Sequence, residues 1–268
     1  MKSKKRHVGT KTKKRNTVVA IFLGFVIVVS VYHFLWGQSQ TVSSGPFQFK
    51  AVIVDQLSLT APDQAFIETA TSILKQAGFA VDYYPGENVT IEFYRNLPAH
   101  NYGLIILRVH TTGGGLFFTS ESYSQSSYVW EQLNDQIHKV SFDGNPPFYF
   151  GIPPSFIKSC MNGRFSKSVV VAMGCDSLAS NDMAVAFIQK GAEAYIGWNE
   201  HVSADHTDQA TIHVLQHLIT QKQTIEKTVE STMAEVGPDS DENGRPSTLF
   251  YYPLEAGVQT IRSISNEN

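Results

Sequence analysis

Two side chains in this sequence invite a chemical reading. His110 closes one hydrophobic run and is followed closely by Gly113-Gly114-Gly115, and Cys175 closes another. A thiol serves as a nucleophile near neutral pH when an imidazole takes its proton or stabilises the thiolate, and the two need be neighbours only in space. Acyl transfer also needs amide donors aimed at the developing oxyanion. A glycine run brings bare backbone close to a substrate, so the expected donors are the amides of Thr111 or Gly113 and of Cys175 itself. Together these residues predict attack of the Cys175 sulfur on a carbonyl carbon, with His110 handling the proton.

Elements of secondary structure must deliver such a pair. Residues 51–57 form a short apolar run of the kind that becomes a strand buried on both faces, and residues 63–76 come next with helical spacing at Phe66, Ile67, Ala70, Ile73 and Leu74 before Gly78 stops them. Residues 79–84, 102–109, 168–173, 194–198 and 247–252 read as further strands, with helices expected at 182–190 and 206–221. Continuous apolar strands alternating with amphipathic helices predict an α/β fold with a mostly parallel sheet covered on both faces. Ligands in such sheets bind beyond the C-terminal ends of the strands. His110, Cys175 and the Asn199-Glu200-His201 turn each come just after a strand, so all three fall on one rim.

A hydrophobic strand ending in His with glycine close behind, then a second one ending in Gly174-Cys175, resembles the caspase-like cysteine peptidases. That clan includes gingipains, separases, legumains and CHAT-type domains. The stretch from Asp182 to Trp198, a helix ending in Gly191-Ala192 before an apolar strand, is similar to the helix and strand after the nucleophile in CHAT-type and gingipain-like domains. The resemblance covers roughly residues 50–220. It implies a three-layer caspase-like sandwich, His110 as base, Cys175 as nucleophile, and cleavage of peptide bonds in a protein or peptide substrate. The chain departs from the family in two places. Thr111-Thr112 stand where Gly usually comes directly after the His, and Met173-Gly174-Cys175-Asp176-Ser177 lacks the Gln and Gly of the caspase motif, so this is not a caspase proper. Asp176, Asp182, Glu200 and Asp205 lie where a basic substrate side chain can be received.

Other readings of the same residues stay open. Cys160 and Cys175 are the only cysteines, and outside a cell two cysteines commonly form a disulfide. An extended strand over 168–175, at about 3.3 Å per residue, would instead hold them at opposite ends, far beyond the roughly 6 Å of bridged Cα atoms. A buried inert Cys175, in a non-catalytic module that binds a peptide or protein, is the competing function. His206, His213 and His217 share one helical face, with His201 and Asp205 nearby, and imidazoles four residues apart can share a zinc ion, although no His-Glu-x-x-His motif is present. Asp239, Asp241 and Asn243 with Gly244 match the first half of a calcium loop, but position twelve is Phe250, so no cofactor is required. Asn88-Val89-Thr90 is a glycosylation sequon. Nine aromatic residues between Leu116 and Pro154 suit core packing first, then a substrate groove or covering flap.

The N-terminal region reads separately. Of 21 Lys and Arg, eight lie before residue 17 without one acid, leaving 13 bases against 24 acids in the remainder. Residues 17–36 carry no Asp, Glu, Lys or Arg, and about 20 apolar residues suffice to cross a bilayer. The expected organisation is a cytoplasmic basic tail (1–16), a transmembrane helix (17–36) with Tyr32 and Trp36 at its far interface, a polar tether (37–46), and an extracytoplasmic domain (47–268). Bulky Val31 to Trp36 offers no small-residue cleavage site, which favours a permanent anchor over a signal peptide. Basic residues beside a span have a topological and lipid-headgroup explanation, so no nucleic-acid partner is expected.

Overall fold

The computed structural model describes residues 46–112, 115–240 and 244–266. The expected tail, membrane span and nearly all of the tether lie outside these residues. No helix among the described residues is long and apolar enough to cross a membrane.

The chain runs β1 (Lys50–Asp55), α1 (Gln64–Gln76), β2 (Ala80–Pro85), α2 (Ile91–Asn96), β3 (Leu104–Arg108), β4 (Thr111–Thr112), β5 (Leu116–Ser122), α3 (Val129–Leu133), β6 (His138–Val140) and β7 (Tyr149–Ile152). It continues through α4 (Pro154–Ser159), β8 (Val169–Ala172), α5 (Asp182–Gln189), β9 (Ala194–Trp198), α6 (Ala204–Leu215), α7 (Ile225–Val236), β10 (Asp239–Ser240), β11 (Pro246–Ser247), β12 (Leu249–Tyr252) and α8 (Ile261–Asn266). The main sheet has six strands in the order β12-β9-β8-β3-β1-β2. Its pairs are parallel except β12, which runs antiparallel to β9.

Two-sided burial explains the unbroken apolar runs. Val52, Val54, Ile105, Leu107, Val170 and Ala172 pack with residues of α2, α4 and α5. The alternate residues Ala51, Ile53, Leu104, Ile106, Val169 and Val171 pack with α1, α6 and α7. Successive side chains of a strand point to opposite faces, so each strand serves both layers. The α1 boundaries obey the expected signals: Asp63 Oδ1 accepts the Phe66 amide at 2.9 Å, and Gly78 adopts φ +90° just past the end.

Three stretches differ from expectation. The middle segment, for which no strands were expected, forms a second, antiparallel sheet in the order β4-β5-β7-β6; β4, β6 and β7 have four residues or fewer, and seven-residue β5 buries Phe117, Phe118 and Thr119 in succession instead of alternating. Phe117, Phe118 and Phe150 from it are buried. The helix expected at 206–221 starts at Ala204 and becomes a π-helical turn over Gln216–Thr220. The final strand breaks at Thr248, where β11 pairs with β10 and β12 turns to β9.

β3 carries an unusual burden for a central strand, a fully buried arginine. Arg108 Nη1 donates to Asp55 Oδ1 of β1 at 2.6 Å, and Nε and Nη2 donate to the two carboxylate oxygens of Asp208 on α6, each at 2.7 Å. Nη2 also reaches the Ala61 carbonyl at 2.7 Å, and the Phe66 ring of α1 lies under the guanidinium, 5.6 Å away. The forked guanidinium matches a carboxylate in two places at once, which a lysine could not do. Tyr83 of β2 donates to the remaining Asp55 oxygen at 3.0 Å. The cluster thus ties β1, β2, β3, α1 and α6 together directly below the rim. Removing one partner of a buried ion pair strands the other, so Asp208→Ala is expected to cost about 3–5 kcal/mol in chemical denaturation of the full chain. Tyr83→Phe, which removes one hydroxyl from a partly exposed position, should cost only about 1 kcal/mol in the same measurement.

Candidate functional site

The β3–β8 register determines what meets at the rim. Leu107 stands opposite Ala172 in the last paired rung, and the Met173 amide donates to the Leu107 carbonyl at 3.0 Å. Three residues further along each strand come His110 and Cys175. Val109 and Gly174 remain in contact above the last rung: a Cβ on Gly174 would lie 2.5 Å from the Val109 carbonyl oxygen and 2.6 Å from Thr111 Cγ2. Only glycine permits this approach. The Thr111 hydroxyl then donates to the Cys175 carbonyl, closing the two segments on one another.

His110 and Cys175 line one small cavity of about 190 Å³, with Leu57, Met173, Val202 and Ser203 among its walls. The His110 backbone is held on both sides. Its amide donates to Gln56 Oε1 at 3.0 Å, and its carbonyl accepts the Phe118 amide at 2.9 Å. The ring shares a 2.7 Å hydrogen bond between Nε2 and the Thr60 hydroxyl, and Phe142 packs against it at a centroid distance of 4.5 Å. Phe142 in turn stacks on Phe118 with ring planes 5° apart. The Cys175 thiol donates to the Val202 carbonyl at 3.3 Å. Among the described residues the ring and the sulfur are therefore bonded to different partners, not to each other.

The segment after Cys175 is laced to β9. The Asp176 amide donates to the Glu200 carbonyl at 3.1 Å, so it is no oxyanion donor. Buried Ser177 donates to the Ala172 carbonyl and accepts the Trp198 amide, at 3.1 and 3.0 Å. Thr207 of α6 donates to the Met173 carbonyl and accepts from the Trp198 indole, both at 2.9 Å. Gly115, at φ +80°, lies with its α-carbon face toward the Asp176 carbonyl, which brings the end of the glycine run to the same place.

Of the residues expected at the site, His110, Thr111 and Cys175 are brought together, while Gly113 lies outside the described residues. Asp176 and Glu200 also come together. Burial, then the nearby Glu200 carboxylate, push the Asp176 carboxyl above its ordinary value, and Glu200 itself pairs with Arg245 at 3.2 Å. Asp182 begins α5 beside Ser180, and Asp205 is exposed in the first turn of α6; neither lines the cavity. Asp239 accepts from its neighbours with both carboxylate oxygens. Its Oδ2 accepts the amide and hydroxyl of Ser203 at 2.7 and 2.8 Å, and Oδ1 accepts the Ser240 amide at 2.8 Å. Those donors outweigh the opposing effect of burial and hold its carboxyl below the ordinary range. Asp241 and Asn243 lie outside the described residues. His206 faces the Gly237 carbonyl at 3.2 Å, apart from His213 and His217, which meet Glu235 of α7. Both cysteines are free thiols.

Gln56 and Thr60 carry no signal in the residue pattern by themselves. They come directly after β1, whose C-terminal end lies on the same rim as those of β3 and β8, and applying the strand-end rule to β1 as well would have found them.

Comparison of the chain with protein-family models and with curated proteins gives no match.

The electrostatics describe a neutral resting pair. Burial, aided by the Arg108 charge, pushes the His110 imidazole down to about 4. Burial also pushes the Cys175 thiol above its ordinary value, against which backbone contacts at Val202 and at its own amide act. At neutral pH the site thus holds a thiol and an uncharged ring. Because folded His110 resists protonation, the unfolded chain takes up that proton first, and the associated stability is lost as pH falls from about 6.5 toward 4. Alkylation of Cys175 by iodoacetamide in the folded chain, monitored by mass spectrometry, is expected to run slower than that of free cysteine at neutral pH and to keep rising beyond pH 9.0. A rate plateau already reached below neutrality would instead reveal a thiolate held by an imidazolium.

Proposed function

We propose that residues 47–268 form a caspase-like cysteine peptidase domain, held outside a membrane by the span at 17–36, that cleaves peptide bonds with Cys175 and His110. One observation carries this reading: two non-adjacent segments place an imidazole and a thiol at matching positions beyond neighbouring parallel strands, on the walls of one cavity. The six-stranded, mostly parallel sheet with helices on both faces is the architecture that the sequence resemblance calls for.

In the proposed reaction, substrate binding draws the His110 ring from Thr60 to the sulfur. The thiol proton passes to the ring nitrogen as sulfur bonds to the scissile carbonyl carbon. The tetrahedral oxyanion is received by the Cys175 amide with that of Thr111 or Gly113. His110 then returns the proton to the departing amine as the C–N bond breaks, and water attacks the thioester with the ring again acting as base, regenerating the thiol. A basic substrate side chain would meet Asp176 and Glu200, exchanging with Arg245. The separate hydrogen bonds of ring and sulfur favour a second reading, a non-catalytic module that binds a peptide or protein in the same cavity.

Incubating the full chain with a fluorogenic peptide library separates the two. The peptidase reading expects cleavage that vanishes in Cys175→Ala and falls by about 100-fold or more in His110→Ala. It also expects a peptidyl acyloxymethyl ketone to label Cys175 in the unmodified chain but not in His110→Ala. No turnover of any library member, together with a Cys175 that such ketones leave untouched, would rule it out.

A further inference from the structure

We propose that His213, His217 and Glu235 form a binding site for a divalent transition metal, with Zn²⁺ the best-fitting ion. The site lies on α6, the π-helical turn and α7, and shares no residue with the cavity of His110 and Cys175. It therefore stands independently of the peptidase reading.

The three ligand atoms, His213 Nδ1, His217 Nε2 and a Glu235 oxygen, lie within 4.8 Å of one another. His213 and His217 are four residues apart, and the helix sets them on one face looking toward α7. His213 Nδ1 is 2.6 Å and His217 Nε2 is 3.0 Å from the same oxygen, Glu235 Oε2. A tetrahedral zinc ion with bonds of about 2.0–2.2 Å spaces its ligand atoms by roughly 3.3 Å, close to the two nitrogen–oxygen separations seen here, so the rings and the carboxylate need only small rotations to admit it.

The surroundings of His217 supply the second observation. His217 is almost fully buried, and its other nitrogen, Nδ1, lies 3.1 Å from Gln221 Oε1. With an ion on Nε2, Nδ1–H would donate to that oxygen. A metal-bound imidazole commonly donates its second N–H to an oxygen in this way, and the partner fixes the ring orientation. Glu235 also sits in the last turn of α7, where the helix dipole disfavours an anion and favours a cation beside it.

The donor set selects the ion class. Two imidazole nitrogens and one carboxylate oxygen suit Zn²⁺, Co²⁺, Ni²⁺ or Cu²⁺ and not Ca²⁺ or Mg²⁺, which take oxygen ligands. Glu235 and His213 are partly open to solvent, leaving a fourth position for water. The ion would join α6 to α7 across the outer layer.

Co²⁺ is the probe. Added to the full chain previously stripped with chelator, it is expected to develop visible d–d bands that saturate at one equivalent and are displaced by Zn²⁺. Gln221→Ala should weaken binding by about 10–100-fold. Glu235→Gln and His213→Ala, both at partly exposed positions, should weaken it further while leaving the far-ultraviolet circular dichroism unchanged. Zn²⁺ should raise the melting temperature of the unmodified chain and not of these two variants. Cys175→Ala should bind as the unmodified chain does. No bands, bands that survive Glu235→Gln and His213→Ala, or bands lost in Cys175→Ala would overturn the assignment.

Discussion

The rim of this sheet rests on one buried guanidinium. Arg108 is fully buried at the end of β3, and two carboxylates from different layers and a carbonyl oxygen meet its donors. Such a cluster contributes little net stability relative to well-packed hydrophobic residues, but it is costly to break, and it tolerates only the arrangement in which all partners are present. Its effect is to hold β1, β3 and α6 at the height from which the residues of the cavity project. His110 lies two positions beyond Arg108, Gln56 one beyond Asp55, and Thr207 one before Asp208. The same charge also faces the imidazole and helps keep it unprotonated.

The result is a pair prepared in position but not in charge. Each member is held by its own neighbour, the ring by Thr60 and the sulfur by the Val202 carbonyl, and each is neutral near pH 7. An uncharged imidazole is the form that can accept a proton, so this state suits a base that acts only once a substrate has expelled the remaining water and moved the ring. It equally protects the thiol from oxidants that attack thiolates. The aromatic pair of Phe118 and Phe142 covers the ring from the side of the second sheet, giving that insertion a part in shaping the cavity.

Much of this was legible in the residue pattern because two-sided burial leaves an unmistakable mark. The runs at 51–54, 104–107, 169–172 and 194–198 admit no charged residue, so strands and their parallel sense can be inferred almost directly. The meeting of His110 and Cys175 was legible for the same reason, since each ends such a run. Pairing through side chains distant in sequence could not be read. Arg108 falls within the expected strand 102–109, and nothing nearby betrayed Asp208, a hundred residues later, as its partner. The second sheet was hidden by aromatic residues that serve core and surface alike, by the shortness of β4, β6 and β7, and by the lack of alternation along β5. Asp239 belongs with these: its ligand-like spacing gave no sign that its carboxylate accepts from the backbone and hydroxyl of Ser203.

The close approach of Gly174 to Val109 also fixes the phase of the two strands. Side chains along a strand alternate between layers, so inserting or deleting a single residue within β3 would turn the residues after it, His110 included, toward the opposite layer while the sulfur stayed behind. The distance between last rung and functional residue is thus a matter of parity as much as of length.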